Sequence, residues 1–159
     1  MVIIIFFTFI LLYILSSISI EDINTMLISE NKLILLAILG ILYLLCIGLS
    51  SEKIDVKHLI INNSFSMIIV FIIMYLISYI SYKIFGIKSL GIGDIKLSSI
   101  STLWLGIELS FLSLCISFSL SAIYSLHGKL TRRFEPLQQY PFAPFLSIGI
   151  LCSWIIDKI

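Results

Sequence analysis

Two aspartates are the residues of this chain best suited to chemistry. Asp94 follows two glycines in the sequence Leu-Gly-Ile-Gly-Asp at positions 90–94, where a long apolar run begins. A charged group next to hydrocarbon costs several kcal/mol unless it is paired, hydrated or used, so Asp94 is a functional candidate in its own right. Asp22 ends the first apolar run, where an acid is usually a hydrated boundary residue. It becomes a candidate only if the fold brings it to the same face as Asp94.

Two carboxylates in one site can perform peptide hydrolysis. Like charges at close range raise one pKa, so the pair holds one proton between its members. The ionised member can take a proton from a water that attacks a peptide carbonyl, while the protonated member polarises that carbonyl and later helps to protonate the leaving nitrogen. The sequence contains no Ser/His/Asp arrangement and no HExxH motif that would compete. The pair predicts an aspartic-type mechanism that needs no metal and no cofactor.

The residues around Asp94 have two interpretations each. Gly91 and Gly93 lack a Cβ, so they could let an extended peptide lie against the backbone, or they could form a simple turn between helices. Lys96 could orient a carboxylate or tune its pKa, or its ammonium could extend to the membrane interface.

The linker after the first apolar run carries two further acids, Glu21 and Glu30. Together with Asp22 they could attract a basic segment of a substrate. The alternative is that they are solvated loop residues.

The composition indicates a membrane protein. Of the 159 residues, 60% are hydrophobic and only 12% are charged, whereas soluble domains carry about 25% charged residues. Whole helix-length runs are apolar on every side, which water would not tolerate. The net charge of +1 and the absence of a dense basic cluster argue against nucleic-acid binding. Three isolated cysteines form no CxxC pair, so a zinc site is not predicted.

Six apolar segments predict an all-α, polytopic protein with about six transmembrane helices in one domain over residues 1–159. A spanning helix needs about 20 apolar residues. Aromatic residues near the span ends are predicted to be interfacial anchors, among them Tyr79, Tyr82, Trp104 and Trp154. The predicted spans are Val2–Ile20, Leu33–Leu49, His58–Tyr82, Ile95–Leu105, a fifth from a turn at Gly106–Glu108 to Leu126, and Pro141–Ile156.

The distribution of lysine and arginine predicts the orientation. Six spans put both termini on one side of the membrane, and the side richer in Lys and Arg faces the cytoplasm. Asp22 and Asp94 then lie on the same, cytoplasmic face of the plasma membrane, and both termini lie outside. The basic side holds seven such residues, Lys32, Lys83, Lys88, Lys96, Lys129, Arg132 and Arg133, against three opposite, Lys53, Lys57 and Lys158.

Three segments resemble a known family. Gly-Ile-Gly-Asp-Ile-Lys-Leu at 91–97 is similar to the GxGDxKL motif of the type IV prepilin peptidases, which are membrane aspartic proteases of the GxGD class. Residues 22–28 resemble the first catalytic segment of that family, in which a threonine, here Thr25, follows the aspartate by three positions. Tyr-Pro-Phe-Ala-Pro-Phe-Leu-Ser-Ile-Gly at 140–149 resembles its C-terminal segment.

The resemblance implies a function and a set of residues. Asp22 and Asp94 would be the catalytic pair, and the substrate-binding or site-shaping residues would be Gly91, Gly93, Lys96 and Thr25. The substrate would be a prepilin-like protein of a type IV pilus or protein secretion system. Its short basic leader would precede a hydrophobic helix and be cleaved after a glycine on the cytoplasmic side.

The chain also departs from the family pattern. Ile28 is followed by Ser29-Glu30 instead of Pro-Asn, so the turn after the first aspartate can differ. Larger members carry an N-terminal extension with a zinc-binding CxxC pair and also N-methylate the product. The present sequence resembles the short, peptidase-only form. Archaeal preflagellin peptidases share the GxGD chemistry and are an alternative.

A second hypothesis comes from a different class of protein. The chain could be a small helical carrier or an assembly subunit without enzymatic activity, in which the acids bind ions or protons.

Overall fold

A computed structural model describes residues 2–50, 55–86, 90–131 and 139–158. These residues form six helices and no strand, which confirms the predicted all-α fold. The helices are α1 (Val2–Thr25), α2 (Glu30–Ser50), α3 (Val56–Phe85), α4 (Ile92–Ile100), α5 (Thr102–Leu130) and α6 (Ala143–Lys158).

The six helices differ in how much of a membrane they can cross. Four of them, α1, α2, α3 and α5, are long and apolar enough to span a bilayer. The nine residues of α4 and the 16 of α6 correspond to about 14 and 24 Å of helix, against about 30 Å of hydrocarbon. The chain is therefore a multi-pass membrane protein in which two shorter helices pack among the four spanning ones.

The first helix continues past its predicted end. Ile20 was predicted to end it because two acids follow, but α1 runs on to Thr25. The acids do not stop the helix because each has a partner: Glu21 pairs with Lys32 at 3.2 Å, and Asp22 accepts a hydrogen bond from α6. The turn to α2 is short and starts with Met26, whose φ of 53° is left-handed.

The predicted break at Gly106 is present. Gly106 has φ 74° and ψ 178° inside α5, a conformation that glycine adopts without strain. The predicted end of the fourth helix at Leu105 is wrong, because α4 already ends at Ile100 and α5 starts at Thr102. The short piece between Ser101 and Gly106 turns the chain from α4 into the long remainder of α5.

The contact between α5 and α6 is unusually close. A Cβ on Gly149 would lie 2.3 Å from the Ser113 carbonyl oxygen and 2.2 Å from Ser117 Oγ. Small residues at such a crossing let backbones approach, which is how helices associate in lipid, where apolar burial gives no driving force. The crossing fixes the position of α6 against α5.

The tryptophans are buried, so the prediction that they are interfacial anchors is wrong. Trp104 and Trp154 are 3% and 1% exposed. The Trp104 ring stacks on Tyr43 at 5.5 Å. Each indole N–H finds an internal acceptor, the Leu36 carbonyl for Trp104 and Thr8 Oγ1 for Trp154. Because both N–H groups are satisfied inside the protein, neither ring needs the lipid headgroups.

Candidate active site

Asp22 is held by the start of another helix. It lies in the last turn of α1 and is 5% exposed, and its Oδ2 accepts a 2.9 Å hydrogen bond from the backbone N–H of Ala143. Ala143 is the first residue of α6. The first N–H groups of a helix have no partner within it and form the positive end of its dipole. The N-terminus of α6 therefore stabilises a carboxylate at this position.

The sequence of α6 leaves that donor free. Pro144 has no N–H to offer, and the N–H groups of Phe145 and Leu146 donate to the Phe142 carbonyl at 3.0 and 3.1 Å. The N–H of Ala143 remains, and it points to Asp22. This gives the Pro-Phe-Ala-Pro-Phe segment a physical role in positioning the first aspartate.

Asp94 is held by its own helix. It is the third residue of α4 and is 9% exposed, and its Oδ2 accepts a 3.3 Å hydrogen bond from the backbone N–H of Gly91, which precedes the helix. In a capping box, this is the hydrogen bond from the backbone N–H of the N-cap residue to the side chain of the third helical residue. The other oxygen, Oδ1, is buried and has no hydrogen-bond partner within the part of the chain that the structure describes. Such an atom is costly unless something binds it.

The two glycines of the motif make room for specific neighbours. A Cβ on Gly93 would lie 3.0 Å from the Cβ of Ile28, and one on Gly91 would lie 3.2 Å from Asp94 Oδ2. Gly93 thus lets the turn between α1 and α2 pack against the start of α4. Gly91 lets the Asp94 carboxylate fold back onto the backbone. Both glycines also line a cavity, and their role in peptide binding stays a prediction.

Asp22 and Asp94 line one cavity of about 1000 Å³. Burial and, to a smaller extent, the charge of Asp22 together raise the pKa of the Asp94 carboxyl to about 7, against the opposing effect of the hydrogen bond from Gly91. The influence of Asp22 on this pKa means that the two carboxylates interact. Two residues 72 positions apart in sequence thus line the same cavity.

The other predicted site residues lie in different places. Lys96 lines the cavity, and its Nζ pairs with Glu30 Oε1 at 2.5 Å instead of with Asp94. Thr25 is exposed, and its hydroxyl donates to the carbonyl oxygens of Glu21 and Leu27 at 2.9 and 3.2 Å. It shapes the turn that follows Asp22 without lining the cavity.

Sequence reasoning did not identify Ala143 or Ile28 as part of the site. The prolines of α6 were a signal for the first of these, because they mark a helix start, and free N–H groups lie at every helix start. Ile28 ends the segment 22–28 that resembles the first catalytic segment of the family, but nothing in its apolar side chain indicated a contact with Gly93. Within the described ranges, no group of three or more His, Cys, Asp or Glu side chains is arranged to hold a metal ion.

Comparison with known proteins gives one match. The family model described as the type IV leader peptidase family matches residues 9–126, which include both aspartates. No curated protein and no solved structure matches the chain significantly. Ala143 lies outside the matched residues.

Proposed function

The chain belongs to the type IV leader peptidase family, and on that premise we propose that it is an aspartic endopeptidase that removes the short basic leader of prepilin-like proteins. The single observation that supports this best is the shared cavity: two buried aspartates line it and interact electrostatically. Cleavage after a glycine, at the cytoplasmic face of the plasma membrane, is part of the proposal. The distribution of Lys and Arg along the chain supports the cytoplasmic orientation, and the cut after a glycine follows from the resemblance to the prepilin peptidases.

The environments of the two acids suggest separate roles. Asp94, with its pKa near 7, is the protonated member and donates to the peptide carbonyl oxygen. Asp22, which accepts an N–H of α6, is the ionised member and takes a proton from the attacking water. The C–N bond then breaks as the nitrogen is protonated, and the pair again holds one proton.

The test is cleavage of a purified prepilin-like substrate by purified protein, with the cut read by mass spectrometry. Asp22→Asn and Asp94→Asn should each lower kcat by about 10³-fold or more, because either change leaves one acid unable to exchange its proton. Membrane level and helicity should stay unchanged. Glu21→Gln is the matched control, since Glu21 is adjacent to Asp22 but pairs with Lys32. Cleavage at near wild-type rate by either asparagine variant would contradict the two-aspartate mechanism.

A further inference from the structure

The acids near the site are not equivalent. Glu21 accepts hydrogen bonds from the Ser29 backbone N–H and hydroxyl at 3.3 and 3.1 Å and pairs with Lys32 at 3.2 Å. Its side chain is 28% exposed, and it does not line the cavity that holds the two aspartates. Glu21 is therefore fully engaged in holding the turn between α1 and α2.

Glu30 differs from Glu21 in each of these respects. It is the first residue of α2, it lines the same cavity as Asp22 and Asp94, and its side chain is 74% exposed. Within the part of the chain that the structure describes, its one ion pair is with Lys96. Glu30 is the carboxylate that this cavity presents to solvent.

The pair between Glu30 and Lys96 can be exchanged at little cost. Exposed ion pairs contribute about 0–1 kcal/mol because water solvates both partners. Lys96 lies on α4 two residues after Asp94 and lines the cavity with Glu30. A cationic side chain of a bound peptide can therefore replace the ammonium of Lys96 at Glu30 without loss of a buried contact.

The charges that line the cavity favour one orientation of a bound basic peptide. Its second cation, Lys129, is exposed near the end of α5 and would repel a basic segment. The acidic position lies instead at the start of α2. The unpartnered Oδ1 of Asp94, buried in the same cavity, indicates that a ligand with a hydrogen-bond donor or a polarised group completes the site.

We propose that Glu30 selects substrates with a basic leader, by exchanging its internal partner Lys96 for a cation of the bound peptide. This inference rests on the proposed peptidase function. It assigns a specificity-determining residue that acts on substrate binding and leaves the chemistry to the aspartates.

The experiment compares two peptides that differ only in the leader, one with lysines and one with glutamines in their place. The measured quantity is the ratio of kcat/KM for the lysine peptide to kcat/KM for the glutamine peptide. Glu30→Gln should lower this ratio about fivefold through KM, the size expected for one exposed charge pair. Lys96→Gln should raise it, because it removes the internal competitor. Glu21→Gln should leave it unchanged.

The opposite signs of the two variants separate recognition from a structural role. If the pair merely held α2 against α4, both variants would lower cleavage of both peptides equally, and the proposal would be wrong. An unchanged ratio in Glu30→Gln would also overturn it. If the wild-type protein cleaves neither peptide, the proposed peptidase function itself fails. Preference of Glu30→Lys for a peptide with glutamates in the leader would support the proposal further.

Discussion

Asp22 is held from another helix, whereas Asp94 is held by the helix that it begins. The first depends on a contact between residues 121 positions apart, and the second on a contact between residues three apart. A local hydrogen bond forms whenever α4 forms. The Asp22 contact forms only when α1 and α6 have packed correctly. Half of the candidate site is therefore encoded locally, and the other half is a product of tertiary structure.

The largest effect should come from removing both acids. The variant Asp22→Asn/Asp94→Asn should be no slower than the worse of the two single variants, because residues that act as a unit are strongly non-additive. The measurement is kcat for a prepilin-like peptide. A double variant that loses the product of the single effects would mean that the aspartates act independently.

The second largest effect on kcat should come from breaking the tertiary contact of Asp22. Ala143→Pro removes the N–H that donates to Asp22 while keeping a residue that suits the first turn of a helix. Loss of a hydrogen bond to a charged group costs about 1.5–3 kcal/mol, so kcat should fall about 10- to 100-fold. Pro144→Ala keeps the N–H of Ala143 and is the control. Equal losses in the two variants would show that helix packing, not the donor, is what matters.

A smaller effect is expected where the two halves of the site touch. Gly93→Ala places a Cβ 3.0 Å from Ile28, which must give way by a few tenths of an ångström. We expect kcat/KM to fall about tenfold, since small displacements of catalytic groups are costly. Ile28→Ala keeps that Cβ but removes the Cγ1 and Cδ1 atoms, which would each lie 3.2 Å from the new Cβ, so it should partly restore the activity of Gly93→Ala. If the second substitution lowers activity further, the close approach is not the cause.

The smallest effect should be on stability. The folded-state pKa of Asp94, about 7, lies above its ordinary value of 3.8. The unfolded chain therefore loses this proton first, and the stability contributed by the neutral acid is present at low pH and lost as pH rises towards 7. Asp94→Asn should raise Tm by about 5 °C at pH 8 and less at pH 4.5. A difference that shrinks with rising pH would contradict the shift. Glu21→Gln should not stabilise the protein at pH 8.

The sequence predicted the membrane class, the helices and the aspartate pair because each leaves a pattern in composition or spacing. Gly106 was recognisable as a break because a glycine and a nearby acid interrupt an apolar run. The end of α4 before Ser101 was not recognisable. The Ser101 hydroxyl donates to the Ser98 carbonyl, so this polar residue is satisfied inside the protein and does not mark a position exposed to water. The contact of Asp22 with Ala143 could not be predicted either, because no local sequence pattern indicates which carboxylate will accept a hydrogen bond from a free N–H.

The ion-pair partner of Lys96 could not be predicted from the sequence for the same reason. Its spacing from Asp94 suggested an interaction within the motif, yet residues two apart on a helix do not face each other. Its partner Glu30 lies 66 positions away. Helical geometry excluded the nearby acid but could not name the distant one.

The close crossing of α5 and α6 also fixes the geometry of the candidate site. Gly149 lies six residues along α6 from Ala143, about 9 Å of helix, and its contact with Ser113 and Ser117 allows only one register between the two helices. A slip of one helical turn, about 5.4 Å, would carry the N–H of Ala143 out of reach of Asp22. The position at which Asp22 meets its donor is thus set by a glycine and two serines that do not line the cavity of the two aspartates.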